Sequence, residues 1–285
     1  MPRGASLLRQ VWLVHARSLL QQARATSTFI LEMGVAVLAG AMMGAASSQL
    51  PSLYLGILKP PYTLISPAPI EVLLPSLGFY VAVAVGLAGS PAGVLTFGEE
   101  KLMYYREAAA GHDKLAYYCG KTLATVYRIV VGSLHFTGVF VLLARPTSSF
   151  FTILFIAMLQ FYCVYGLAAV ISMLVKREQA ALLSVIATLV AATMSGYGPS
   201  LTQFRSWNLG WLINMSYARW AVEALFHAET LAYRAQYMVA EVSAPLFGYT
   251  LDRYAADIAA MMGIGTIYRI LAYFLLTRLN VEKQR

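Results

Sequence analysis

Apolar residues fall in long, nearly unbroken blocks along this chain, separated by short charged segments rather than by strict alternation. A helix needs about 20 predominantly apolar residues to cross about 30 Å of hydrocarbon. Six stretches meet that requirement, at about 28–47, 72–95, 121–144, 150–174, 180–197 and 256–277. The pattern predicts an all-α membrane protein built as one domain over 1–285, with no internal repeat and no low-complexity tail.

The segments outside these blocks have patterns of their own. In residues 6–25, Leu8, Val11, Trp12, His15 and Leu19 recur at helical spacing, with Arg9, Arg17 and Arg24 broadly opposite. This predicts an amphipathic helix at a membrane surface. Leu13 and Leu20 interrupt the two faces and leave open a helix packed on both sides. The loop 48–69 carries Pro51, Pro60, Pro61, Pro67 and Pro69 and is expected to be irregular and extended. Residues 198–255 form the largest region that does not span. Within it, Trp207 to Phe226 is apolar enough to enter the membrane edge, yet carries Arg219 and Glu223 four residues apart on one helical face. Both charges would be costly on a helix facing lipid. A re-entrant hairpin packed against protein accommodates them, and a seventh span is the alternative.

Composition supports the membrane assignment. The chain has 285 residues, of which 59% are hydrophobic and only 12% charged, too few charges for the surface of a soluble domain of this size. Arg3, Arg9, Arg17 and Arg24, then Lys101, Arg106, Lys114 and Lys121, then Lys176 and Arg177, then Arg278, Lys283 and Arg285 all fall on one side of a six-span arrangement. That side is therefore expected to be cytoplasmic, with both termini on it. The same bias accounts for the net charge of +8 without a nucleic-acid partner. No signal peptide is evident. Cys119 and Cys163 read as free thiols.

The densest charged segment runs from Gly98 to Lys114, where Glu99, Glu100, Glu107 and Asp113 mix with Lys101, Arg106 and Lys114. It must sit in water. Its length and its Ala108-Ala109-Ala110 run favour a helix over a plain solvated loop, and it reads as a docking device between a membrane domain and a soluble motor. Within the spans, Glu32 lies about 6 Å and Arg128 about 10 Å from the same edge at 1.5 Å per residue, so the two either pair or reach water separately. Arg269 has no partner by depth. Gly40-Ala41-Met42-Met43-Gly44 offers a small-residue face for close helix approach, within this chain or between two copies. Asn214-Met215-Ser216 is a glycosylation sequon on the expected outer side.

Catalytic and metal signatures do not emerge. Gly120-Lys121-Thr122 lacks the first glycine of a phosphate loop, since Leu115 stands there, and it opens an apolar helix rather than following a strand. No metal-binding helix and no nucleophile elbow is present, and His135 reads as a satisfied interior histidine. No catalytic, cofactor or metal site is expected in this chain.

Four segments then point to a family. Phe97-Gly98-Glu99-Glu100-Lys101-Leu102-Met103-Tyr104-Tyr105-Arg106-Glu107-Ala108-Ala109-Ala110-Gly111 resembles the loop between the second and third spans of G-subfamily (white–brown type) ABC transporters, and Leu115 to Leu123 resembles that family's entry into the third span. Ser216-Tyr217-Ala218-Arg219-Trp220-Ala221-Val222-Glu223-Ala224-Leu225 resembles its re-entrant outer segment, and Tyr162-Cys163-Val164-Tyr165-Gly166 is similar to the fourth span of its plant-type branch.

The resemblance implies an ABC-2 type fold of six transmembrane helices, with a connecting helix at 6–25, a cytoplasmic coupling helix and an outer re-entrant hairpin at 198–255. It implies the membrane half of an ATP-driven exporter of hydrophobic or amphipathic, lipid-like molecules. Such an exporter is a homo- or heterodimer of membrane domains enclosing a cavity among membrane lipids. ATP–Mg would sit on a nucleotide-binding domain, in cis or in trans, because none is expected within these residues. Glu99, Glu100, Arg106 and Glu107 would contact that domain, and Arg219 and Glu223 would hold the hairpin. Leu77, Phe79, Thr188 and Met194 would face substrate. The cysteine-free outer loop cannot form the disulfides of some animal members. Met194-Ser195-Gly196-Tyr197-Gly198 stands where some drug exporters have a leucine valve. A truncated or regulatory partner of a half-transporter, without transport of its own, is the alternative reading. A secondary carrier fits poorly, with Glu32 the sole buried acid near the cavity and no inverted repeat.

Overall fold

The structure is a computed structural model describing residues 5–48, 58–65, 76–98 and 100–279. Among these, every named element is helical. They run α1 (Leu7–Arg24), α2 (Thr26–Ser48), α3 (Ser76–Gly98), α4 (Lys101–Ala109), α5 (Lys114–Ala144), α6 (Phe150–Leu174), α7 (Arg177–Thr193), α8 (Leu201–Ser206), α9 (Gly210–Asn214), α10 (Tyr217–Thr230), α11 (Ala244–Phe247) and α12 (Tyr254–Arg278). The start of the expected second span at 72–75, and most of the proline-rich loop before it, lie outside the described residues.

Among the described helices, α2, α3, α5, α6 and α12 are long and apolar enough to cross a membrane. The expected fifth span, 180–197, is a shorter helix. α7 has 17 residues, or about 26 Å at 1.5 Å per residue, and ends at Thr193 because Ser195, Gly196 and Pro199 follow. No element within 198–255 approaches a span's length. Its longest helix, α10, has 14 residues, so the seventh-span alternative fails.

Packing is organised around α6, which lies against α3, α5, α7, α10 and α12 and is buried over most of its length. The main core joins Val81, Val85, Phe136, Phe140, Ile156 and Phe161 from α3, α5 and α6 to Tyr217, Val222 and Leu225 of α10. The small-residue face of α2 is used inside the chain. A Cβ on Gly40 would come within 2.6 Å of the Phe136 carbonyl oxygen of α5, and one on Gly44 within 2.9 Å of the Leu143 Cβ. Bulkier residues at either position would push the two helices apart.

Helix starts follow local capping chemistry. Asp113 accepts a bond from the Ala116 N–H at 2.8 Å to start α5, and Ser149 accepts one from the Thr152 N–H at 3.2 Å to start α6. Ser200 and Gln203 form a reciprocal capping box at α8, and Ser216 caps α10.

α1 packs against α5 through Val14, His15 and Ser18. Leu8 and Trp12, on the apolar face of the expected amphipathic helix, are exposed together with Leu13 and Leu20. The helix thus presents apolar side chains away from its own bundle as well as toward it.

Candidate coupling site

α4, between Gly98 and Gly111, and the start of α5 form the densest charged region. α4 closes with Gly111 in a left-handed conformation, φ +90°. The Gly111 N–H bonds the Ala108 carbonyl at 3.1 Å and the His112 N–H bonds the Glu107 carbonyl at 3.0 Å. These two bonds form a Schellman motif, which a glycine at this position accommodates without strain. Asp113 follows at once and starts α5, so the chain turns within a few residues.

The helical period divides α4 into two faces. Glu100, Tyr104, Glu107 and Ala108 point into the protein, whereas Met103, Arg106, Ala109 and Ala110 face outward. Tyr104 is 1% exposed and packs on the Tyr117 ring at 5.0 Å between centroids. It belongs to a second apolar cluster with Val14 of α1, Val170 and Met173 of α6, and Ala272 and Leu276 of α12.

The inward charges are paired within the chain. Glu107 takes a bidentate contact from Arg17 of α1, with 3.2 Å for the longer of its two bonds. This hydrogen bond raises the Arg17 pKa against the opposing effect of burial. Glu100 meets Lys121 of α5 at 2.6 Å, and the same ammonium donates to the Thr96 carbonyl at 2.9 Å. Lys101 donates to the Ser172 carbonyl of α6. The Asp113 N–H donates to Gln10 of α1 at 3.1 Å. Of the four residues expected to contact a soluble motor, Glu100 and Glu107 are therefore engaged with their own chain, because they share the face of Tyr104. Arg106 is exposed, and Glu99 lies outside the described residues. Lys121 of the phosphate-loop-like tripeptide is an ion-pair partner inside α5, as its helical setting implies.

Deeper in the bundle at the same end, Arg128 of α5 grips Glu32 of α2 with two bonds. Nε donates to Oε2 at 3.0 Å and Nη2 to Oε1, and both side chains are 10% exposed. Arg269 does have partners, though none is an acid. Nη1 donates to the Tyr162 and Gly265 carbonyls at 2.8 and 3.0 Å, and the guanidinium lies 3.4 Å from the Tyr162 ring centroid. His135 is exposed on α5 rather than interior, with Nδ1 2.8 Å from the Val131 carbonyl of its own turn. Both cysteines are free.

The opposite end of the bundle is built around α10. Arg219 and Glu223 form an ion pair at 2.8 Å with side chains 4% and 1% exposed. Glu223 also accepts from the Thr250 N–H at 2.7 Å, and the Arg219 guanidinium lies over the Trp220 ring. Asp257, in the first turn of α12, is fully buried. Sequence reasoning passed over it, and it passed over Glu229. That residue, at the end of α10, accepts from the N–H groups of Thr147 and Ser148 at 3.0 Å each, and from the Thr147 hydroxyl at 2.7 Å. It fastens α10 to the α5–α6 turn. Its partners are mostly backbone groups, which leave no charge pattern to read.

The expected substrate residues are dispersed. Leu77, Phe79 and Met194 are half-buried, with the Phe79 ring 5.2 Å from that of Tyr197. Thr188 is fully enclosed between α7 and α3, where it shares a 2.9 Å hydrogen bond with Ser90, and so presents no surface in this chain. Asn214 is exposed at the end of α9.

Residues 2–283 match the family model of the ABC-2 type transporter, and the chain belongs to that family. It is an integral membrane domain of this transporter class. It is 36% identical over 79% of its length to the ABC-type transporter claG of Penicillium crustosum, covering 31% of that protein. It is 27% identical over 70% of its length to the putative white-brown complex homolog protein 30 of Arabidopsis thaliana, covering 18% of that protein. ABC transporter G family member 25 of Oryza sativa subsp. japonica is 25% identical over 70% of the chain, which covers 19% of that relative. The chain thus spans less than a third of the length of each of these relatives.

Proposed function

We propose that this domain is the membrane part of an ATP-driven exporter of hydrophobic or amphipathic, lipid-like molecules, and that α4 is where a nucleotide-binding domain acts on it. The observation that carries the reading is the two-faced build of α4. Its inner face is tied to α1, α5 and α6, and its outer face carries Arg106 and Met103 with no apolar cover of its own. A soluble domain seated on Arg106, with ATP–Mg bound on that domain in cis or in trans, displaces α4. The Arg17–Glu107 and Glu100–Lys121 pairs then pass the displacement to α1 and α5.

In this reading both termini and α4 are cytoplasmic, and 198–255 is a re-entrant outer region held by Arg219 and Glu223. Two such domains, alike or different, enclose the transport path, with Leu77, Phe79 and Met194 facing it. Thr188 joins the path only when α3 and α7 separate. An outer position also makes Asn214 a glycosylation acceptor. The relatives, named as ABC transporters and as a white–brown homolog, support transport as the activity.

The test is site-directed cross-linking of the chain to a nucleotide-binding domain purified with it. Arg106→Cys should form a cross-link whose yield changes with ATP, and Arg106→Glu should reduce co-purification by about tenfold, equivalent to about 1.4 kcal/mol. Unchanged association in Arg106→Glu, together with no cross-link from Arg106→Cys, would sink the proposal.

A further inference from the structure

Between α1, α2, α3 and α5 lies a cavity of about 130 Å³, at the end of the bundle that carries α4. That is roughly ten times the volume a single water requires, so the space suits a larger polar group. Glu32 with Arg128 and Glu100 with Lys121 line it, which gives two acids and two bases and no net charge. Both acids are already matched to a base. A free anion or a free cation would meet as much repulsion as attraction, whereas a group carrying both charges finds a partner for each.

Two further observations point to an occupant. Ser18 lines the cavity at 4% exposure, and its hydroxyl has no hydrogen-bond partner among the described residues; the same holds for the Thr96 hydroxyl. Buried hydroxyls are ordinarily bonded, so these two call for a polar ligand. The cavity also reaches the surface, since Ala25 and Thr28 line it and are themselves exposed at the α1–α2 elbow. Next to that mouth, Ile30 and Leu31 of α2 are 69% and 67% exposed and offer an apolar track outside it. A polar chamber with both signs of charge, opening onto an apolar helix face, matches an amphiphile rather than a soluble ion.

We infer that this cavity takes the headgroup of a zwitterionic phospholipid, with the acyl chains lying outside along the Ile30–Leu31 face of α2. The phosphate approaches Lys121 and Arg128, the ammonium approaches Glu32 and Glu100, and Ser18 and Thr96 donate to phosphate oxygens. The site requires only the membrane setting of the domain and is independent of the exporter reading.

The test uses the full chain in nanodiscs of equal phosphatidylcholine and phosphatidylglycerol, with native mass spectrometry counting the lipids kept after gentle detergent extraction. The wild-type chain should hold one phosphatidylcholine in preference to phosphatidylglycerol by at least about five-fold, corresponding to about 1 kcal/mol. Thr28→Trp plugs the exposed mouth without touching the core and should abolish that retention, as should Ser18→Leu. An unfolding temperature within about 2 °C of wild type reports that each variant is still folded. Retention unchanged in Thr28→Trp, or equal retention of phosphatidylglycerol, would overturn the inference. So would displacement by an equal concentration of soluble glycerophosphocholine. No ATPase enters the measurement, so a negative result here leaves the coupling proposal standing, and the reverse also holds.

Discussion

The two ends of the bundle hold their charges in opposite ways. At the α10 end the Arg219–Glu223 pair is almost wholly enclosed, sits on a single helix and is backed by the Thr250 N–H. At the α4 end the pairs join different helices. Exposure rises outward, from 10% for each partner of Arg128–Glu32 to 35% and 22% for Arg17 and Glu107. A dry pair within one helix cannot exchange partners without leaving a bare charge behind, so it fixes a shape. A half-wet pair between helices can open and close at modest cost, so it can transmit movement. The burial of each pair thus separates contacts that fix a shape from contacts that can open at modest cost.

That contrast is most easily broken at the dry end. Glu223→Gln should strand the Arg219 charge and cost about 3–5 kcal/mol in denaturant or thermal unfolding in micelles. The apolar double variant Arg219→Met with Glu223→Leu should recover most of the loss. A single-variant cost below about 1 kcal/mol would show that the pair is wetter than its surroundings indicate. The intermediate pair should give an intermediate result. Glu32→Gln should cost about 1.5–3 kcal/mol, and exchanging the two charges in Glu32→Arg with Arg128→Glu should restore part of it.

At the outermost pair, Arg17→Gln should change unfolding stability by no more than about 1 kcal/mol while uncoupling α1 from α4. Exchanging the two charges in Arg17→Glu with Glu107→Arg should restore the linkage and show that the contact acts by position rather than by stability. The smallest effect concerns pH at the α10 end. Partial burial, followed by the nearby Arg234, lowers the His227 pKa below its ordinary 6.5. The unfolded chain therefore takes up a proton first as pH falls through 6.5, and stability declines in that window while staying flat above it. His227→Asn should flatten the slope, which pH-dependent unfolding would reveal.

Much of this arrangement was legible in the pattern of residue types. The blocks of apolar residues placed α2, α6 and α12 within a few positions, whereas α5 begins seven residues ahead of its expected span at 121, and i,i+4 spacing brought Arg219 and Glu223 together. Depth matching allowed Glu32 and Arg128 to meet. Orientation around each helix axis was harder to read. α4 was foreseen, but not that Glu100 and Glu107 would turn inward. The signal was available, since Glu100, Tyr104 and Glu107 share a face and a tyrosine on that face seeks a core. Arg269 and Glu229 escaped because their partners are largely carbonyl oxygens, N–H groups and a ring face, to which a search for opposite charges is blind. α7 came out short because its end is set by Gly196 and Pro199, whereas a hydropathy count runs through to Tyr197.

The attachments of α4 have a mechanical consequence. The segment is only 9 residues long, yet it is bolted to three neighbours by Glu107 to α1, Glu100 to α5 and Lys101 to α6, and Tyr104 is wedged between them. A body fixed at that many points cannot swing like a hinge. It behaves as a stiff strut, so a push on the Arg106 face would divide among three helices at once, and the bundle would answer as a frame.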